Sequence, residues 1–295
     1  MHAQRKAWLQ LHVCVVLWGF TAIIGKLISL PAIALVFWRM LLVSGLLLLW
    51  PDFWRGLRAL SPRAIAAYGG IGLIIALHWV TFYGSIKLAN ASIAATCMAL
   101  VSVFVALIDP IVRRRRFDPR ELLFGLAVMP GVLLVTSGAP PGMRLGVLVG
   151  ALSALCAALF TVLNARFALG SAALSVTGIE LGSGAIALGA AGSFAPAAHS
   201  PWVVPNARDA LLLGVLALGC TLLPFALSLV AMRRLGAFSA ALAVNLEPVY
   251  AVILAMLLLG EQRELLPSFY LGVAIVLGVV FGHAAWTRRA STQAD

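Results

Sequence analysis

Gly236-Ala-Phe-Ser-Ala-Ala-Leu-Ala-Val-Asn245-Leu-Glu247-Pro248-Val-Tyr250-Ala-Val-Ile-Leu-Ala-Met-Leu-Leu-Leu259 is an apolar run long enough for a helix to cross hydrocarbon, and it carries a carboxylate near its centre. An ionisable group at that depth costs roughly 2.5–3.5 kcal/mol on insertion scales, so it persists where it is paired, faces water or works. Pro248 follows directly. Its ring removes a backbone donor and frees the carbonyl of Val244, so the helix is expected to bend or open beside Glu247. The freed carbonyl, the carboxylate, Asn245 and Tyr250 form the densest polar cluster in any apolar stretch of the chain.

Working outward, the same apolar character fills most of the sequence. Hydrophobic residues make up 62% and charged residues 11%, and the mean hydropathy is +1.05, far from the balance of a soluble domain. Stretches of spanning length recur at 8–27, 31–50, 64–86, 91–109, 121–137, 145–165, 174–194, 210–231, 236–259 and 268–286. The expectation is an all-α integral membrane protein with ten transmembrane helices. The short alternating pattern of a membrane β-barrel is absent. The linkers leave no room for a soluble domain, so any chemistry belongs to the bilayer or its faces. The basic start before 8–27 reads as the flank of an uncleaved span, because that stretch is long and lacks a small-residue cleavage site. Cys14, Cys97, Cys156 and Cys220 fall in separate runs without metal-ligand spacing and read as small buried hydrophobes.

A net charge of +11 would suit nucleic acid if it were clustered, but its distribution points elsewhere. With the N-terminus inside, the cytoplasmic loops receive Arg55, Arg58, Arg63, the arginines at 113 to 116, Arg120, Arg166, Arg233 and Arg234, and the opposite side receives only Lys87, Arg144, Arg208 and Arg263. Both tails, 1–7 and 287–295, are therefore placed in the cytoplasm. The arginine cluster at 113 to 116 reads as a topology anchor near anionic lipid. Trp8, Trp50, Trp54, Trp202 and Trp286 mark span ends, whereas Trp18, Trp38 and Trp79 lie deeper, where an indole N–H needs a partner.

The chain also repeats itself. Asn90-Ala-Ser-Ile-Ala-Ala-Thr, continuing through Val103-Phe104-Val105-Ala106-Leu107, parallels Gly236-Ala-Phe-Ser-Ala-Ala-Leu, continuing through Val249-Tyr250-Ala251-Val252-Ile253. Each is followed by a charged turn and a span with similarly spaced glycines, Gly125 and Gly131 against Gly272 and Gly278. The first five spans, 8–137, thus read as duplicated in the second five, 145–286. An odd number of spans per copy inverts the second copy. Inverted repeats recur in secondary transporters, with the substrate site near the midplane between the halves.

Trp18-Gly19-Phe20 with Lys26, Phe37-Trp38-Arg39, and Leu246-Glu247-Pro248-Val249 running to Leu257-Leu258-Leu259-Gly260-Glu261 resemble the EamA family of the drug/metabolite transporter superfamily. The resemblance covers nearly the full chain, in both repeats. It implies a ten-helix inner-membrane exporter or importer of small metabolites, often amino acids. The first repeat departs from the family pattern: its fourth span ends in Asp109-Pro110 and four arginines, where relatives commonly carry a Leu-Gly-Glu turn like that at Gly260-Glu261.

Several residues are candidates for the transport pathway. Arg39 and Glu180 are the deepest charges of the equivalent second and seventh spans; they either neutralise each other or line one path, and a structural pair is the plain alternative. His78, Trp79 and Tyr83 put hydrogen-bonding and aromatic surfaces on neighbouring parts of one helix. A histidine bound to a backbone carbonyl is the competing account of His78. Asn164 and Asn245 suit a zwitterionic ligand, with interhelical hydrogen bonding of roughly 0.6 kcal/mol as the alternative. Lys26 lies near a span end and can snorkel. Gly142, Gly146, Gly150, Ala154 and Ala158 give span six a close-packing face. The expected substrate-binding set is Trp18, His78, Trp79, Tyr83, Asn164, Asn245, Glu247 and Tyr250, and the coupling or gating set is Glu247, Glu180, Arg39 and Pro248.

These features lead to a secondary transporter, expected to export small polar or amphipathic metabolites such as amino acids across a bacterial inner membrane by alternating access. Glu247 or Glu180 could exchange protons in step with substrate. No Walker-type loop appears, so ATP is not the direct energy source. A passive channel remains the second reading. An embedded enzyme on a lipid or prenyl substrate is the third, weakened because the acids are scattered and the histidines form no ligand set. No cofactor or metal is expected; the partners are a small-molecule substrate and the lipid bilayer, not nucleic acid, with a monomer expected and a dimer left open.

Overall fold

In the computed structural model, residues 2–114, 116–117, 119–167, 172–194, 196, 200–224, 227 and 246–292 are described, and every regular element among them is helical. In order these are α1 (His2–Leu27), α2 (Ala32–Leu48), α3 (Pro51–Arg58), α4 (Pro62–Leu88), α5 (Ala91–Cys97), α6 (Leu100–Arg113), α7 (Pro119–Gly138), α8 (Arg144–Phe167), α9 (Ala173–Gly192), α10 (Ala207–Gly214), α11 (Glu247–Leu254) and α12 (Pro267–Thr292). Helix α10 continues as a π-helical segment, Val215–Leu222, and α11 as another, Ala255–Leu259. Among the described residues, five stretches are long and apolar enough to cross a membrane: Arg5–Leu27, Pro62–Leu88, Ala91–Arg113, Pro141–Phe167 and Ala173–Gly192. Shorter apolar helical stretches are Leu126–Gly138, Glu247–Leu259 and Pro267–Val279. The protein is a multi-pass membrane protein.

Local chemistry sets the helix starts. Ser61 Oγ accepts from the Ala64 amide at 3.2 Å, with Pro62 opening the first turn of α4. Asn90 Oδ1 accepts from the Ile93 amide at 2.9 Å to begin α5, and Asn206 Oδ1 does the same for α10 from Asp209, also at 2.9 Å. Between α5 and α6 the backbone tightens, with Met98 bonding back to Ala95 and Val101 to Met98, so 91–113 is one span with a kink near its first third. Pro248 occupies the first turn of α11, where the missing N–H costs nothing. The residues before Leu246 lie outside the described set, and with them Asn245, Val244 and the first half of the quoted run.

The segment after α2 departs from the sequence reading, which treats it as a basic linker. Helix α3 turns 86° from α2. It buries Phe53, exposes Trp50 and Trp54, and places Asp52 in its first turn and Arg55 and Arg58 in its last, matching the helix dipole. Such a short amphipathic helix suits the membrane interface. Ser175 Oγ donates to the Phe53 carbonyl at 2.8 Å and so ties α3 to the start of α9.

Packing between the halves follows a two-fold scheme. Helix α1 packs on α11 and α8 packs on α6; α4 packs on α8, and the π-helical continuation of α10 packs on α1. Helix α2 crosses α9, and α7 crosses α12. Each pairing maps onto another, or onto itself, when the two halves are exchanged. Glycines let the backbones approach: a Cβ at Gly72 would lie 2.1 Å from the Glu180 carbonyl oxygen, and one at Gly272 would lie 2.5 Å from the Gly131 oxygen. Of the small residues in span six, Gly146 abuts Ala89 and Gly150 abuts Cys97 and Ser85, while Gly142 faces open space. The helix ends collect at two faces. At one, Ser29, Lys87, Asn90, Asp209, Glu261 and Glu264 meet. At the other, α3 meets Ser175, and the Tyr68 hydroxyl donates to the Phe167 carbonyl at 2.8 Å.

Candidate functional site

A cavity of about 430 Å³ lies where α1, α2, α4, α8, α9, the π-helical segment Val215–Leu222 and the first residue of α11 converge. Its apolar wall includes Val43, Leu47, Phe82, Met98 and Phe160, with Trp18 and Trp79; its polar groups come from Thr21, Arg39, His78, Thr177, Thr221 and Glu247. An apolar wall with a few convergent polar groups is the usual form of a small-molecule site. Among the described residues, the wall reaches Leu47 and Thr177 near the α3 face and takes none from the Lys87 face.

Arg39 is buried, at 4% exposure. Its Nη1 donates to the Tyr83 hydroxyl at 2.6 Å, and Nε and Nη2 both donate to Thr221 Oγ1, at 3.2 and 2.8 Å. The guanidinium carbon stacks 3.9 Å from the centre of the Trp79 ring. Thr221 Oγ1 in turn donates to the Leu216 carbonyl at 2.9 Å, five residues back, a reach that the wider π-helical turn provides. Among the described residues three of the five guanidinium N–H bonds are thereby used, leaving one on each terminal nitrogen. No carboxylate among the described residues lies within ion-pair distance of Arg39. Of the two accounts of Arg39 and Glu180, neutralisation by contact is not found: Arg39 turns to α4 and the π-helical segment Val215–Leu222, whereas Glu180 sits where α9 presses on α4 beside Gly72.

His78 serves two purposes at once. Its Nδ1 lies 3.0 Å from the Ser153 carbonyl and 2.9 Å from Ser153 Oγ, so Ser153 occupies this nitrogen, and Ser153 Oγ also lies 3.0 Å from the His78 carbonyl. Nε2 is then the ring nitrogen left for the cavity. The ring is flanked by Phe82 and Phe160, 6.2 and 5.4 Å away between centroids.

Glu247 opens α11 and lines the cavity with Trp18, Thr21 and Arg39. It makes no ion pair among the described residues. Gly19 of α1 permits this approach, since a Cβ there would lie 3.2 Å from Tyr250 Cβ. The cavity thus holds one fixed cation and one carboxylate that do not neutralise each other by contact.

The other expected site residues fall elsewhere. Tyr83 stands behind Arg39 and holds it without lining the cavity. Tyr250 packs with Trp8 and Trp18 in a small apolar cluster. Asn164 neighbours Glu180 outside the wall, and neither Asn164 Oδ1 nor Glu180 Oε1 has a hydrogen-bond partner among the described residues. Pro248 borders a narrow cleft against Trp18, Phe82 and Ala95. Trp38 donates to the Val203 carbonyl at 2.9 Å and takes no part. Lys26 reaches the Ala89 carbonyl at 3.4 Å on the face remote from the cavity. Thr21, Phe82, Met98, Phe160, Thr177, Thr221 and Leu222 line the cavity without having been singled out in the sequence, and so does Cys220, which reads there as a small buried hydrophobe. The threonines are the legible ones, as the hydroxyls of otherwise apolar spans.

Comparison with known proteins comes to the same architecture. The EamA-like transporter family model matches residues 6–137 and again 144–282. A solved crystal structure superposes with a TM-score of 0.60 at 20% identity, covering 96% of this chain and 96% of that one, a likeness of fold. No curated protein matches the sequence significantly.

Proposed function

Given that the chain belongs to the EamA-like transporter family, we propose that it is a secondary transporter that exports small amphipathic metabolites bearing a carboxylate, amino acids or their derivatives, by alternating access. In this reading ten spans form two inverted five-helix repeats, 8–137 and 145–286, in a bacterial inner membrane, with both termini cytoplasmic. The face carrying α3 is then cytoplasmic.

The observation that carries this reading is the free fork of Arg39. A buried guanidinium with two N–H bonds unspent, held by Tyr83, Thr221 and Trp79, is complementary to a carboxylate, which accepts two parallel hydrogen bonds. Glu247 and the His78 Nε2 give an ammonium or hydroxyl group somewhere to bind, and Phe82, Met98 and Phe160 receive an apolar side chain. The test is ligand-induced thermal stabilisation of detergent-purified protein across matched panels of apolar amino acids, their methyl esters and their decarboxylated amines. Stabilisation confined to free carboxylates supports the reading. Equal stabilisation by the amines contradicts it.

A further inference from the structure

The face remote from the cavity is closed by a carboxylate that belongs to neither the expected nor the observed binding set. Glu261 follows the π-helical end of span nine and is 1% exposed. Its two oxygens accept from the backbone amides of Ala91 and Ser92, at 2.9 and 2.8 Å. These are the first two amides of α5, which the helix itself cannot satisfy. Gly260 makes the approach possible: it turns the chain at φ +70°, a conformation that L side chains rarely adopt. Asn90 Nδ2 adds a bond to Glu264 Oε2 at 3.2 Å. The end of the second repeat's fourth helix therefore clasps the start of the first repeat's fourth helix.

Around this clasp the same face is stitched shut. Ser29 donates its amide and hydroxyl to Asp209, at 2.9 and 2.5 Å, and the Lys87 ammonium donates to the Ile28 carbonyl. The turn equivalent to Gly260-Glu261 in the first repeat is the cationic run beginning at Arg113, with arginine in place of the glutamate. Among the described residues, the cavity wall reaches toward the opposite face, at Leu47 and Thr177.

We infer that Glu261 is a gating residue: its carboxylate latches the end of span nine to the start of span four, holds the non-cytoplasmic gate closed, and must let go for the cavity to open outward. The assignment of faces rests on the transporter reading above. Both hydrogen bonds are to a charged group, so breaking the latch shifts the balance toward outward-open states by about tenfold or more.

Cys220 lines the cavity and reports its accessibility. The assay uses a background in which Cys14, Cys97 and Cys156 are replaced by serine or alanine, and follows labelling of Cys220 by a membrane-impermeant maleimide in right-side-out and inside-out vesicles. With Glu261 intact, labelling is expected from the cytoplasmic side. In Glu261→Gln, labelling from the outer side should rise about tenfold, while Glu264→Gln, at the rim, moves it less. Ala91→Pro is the second variant. It keeps the carboxylate but removes one donor at a helix position that tolerates proline, and it should shift labelling the same way. Unchanged outer labelling in whichever of the two variants retains the parent's gel-filtration profile overturns the latch. Because the assay needs no substrate, a shift in labelling with no carboxylate ligand found would leave the latch standing and remove the substrate assignment.

Discussion

Arg39 shows how much one side chain's chemistry decides. It is buried with no contacting carboxylate among the described residues, and its described neighbours satisfy only part of its donor capacity. Arg39→Lys preserves the charge but not the planar fork, so it should weaken binding of a carboxylate ligand about 10–100-fold, read as a higher KM for transport. Thr221→Val removes the acceptor that fixes Nε and Nη2 and should raise KM about tenfold, with Thr221→Ser restoring it. Glu247→Gln tests coupling: if Glu247 trades a proton for substrate, the variant's transport should lose the pH dependence of the parent, and a retained profile would remove Glu247 from that role. The sequence made Arg39 and Glu247 conspicuous because charge in an apolar run is costly. It left open whether Arg39 and Glu180 neutralise each other or line one path, because spacing along two helices does not reveal how each is rotated. Phe82, Met98 and Phe160 could not be told from ordinary packing residues by type alone.

At the scale of elements, close approach and local helix geometry place these side chains. The crossing of α4 and α9 at Gly72 has no room for a methyl group, since its Cβ would fall 2.1 Å from Glu180 O and Ser183 Oγ. Gly72→Ala should therefore destabilise the protein by about 1–3 kcal/mol, seen as a lower melting temperature. Gly45→Ala, in open space, should leave the melting temperature unchanged. Span six shows what a small-residue pattern can and cannot convey. Gly146 and Gly150 do pack closely, yet Gly142 with the same spacing does not, because the helix begins only at Arg144. Helix α3 was illegible as a helix for another reason. Its charges read as a loop, and its amphipathic form became visible only once Phe53 was seen buried against the start of α9. The π-helical register at Val215–Leu222 has no sequence signature, although it carries Thr221 to Arg39.

For the whole molecule, hydropathy and the duplicated pattern carried most of the architecture, because a membrane admits few backbone solutions and a repeat halves the problem. The conformational state lay beyond the sequence. The cavity's wall reaches one face, and the Glu261 and Asp209 contacts bind the other. That asymmetry suits a carrier loading from the α3 side, and carriers differ from pores in a way that exchange kinetics detects. The most direct test is counterflow in proteoliposomes: uptake of a labelled amphipathic amino acid, chosen from the stabilising ligands, with and without unlabelled substrate inside. The account predicts uptake accelerated by internal substrate and lost in Arg39→Lys. Uptake that ignores internal substrate, or that proceeds equally well in Arg39→Lys, would contradict it.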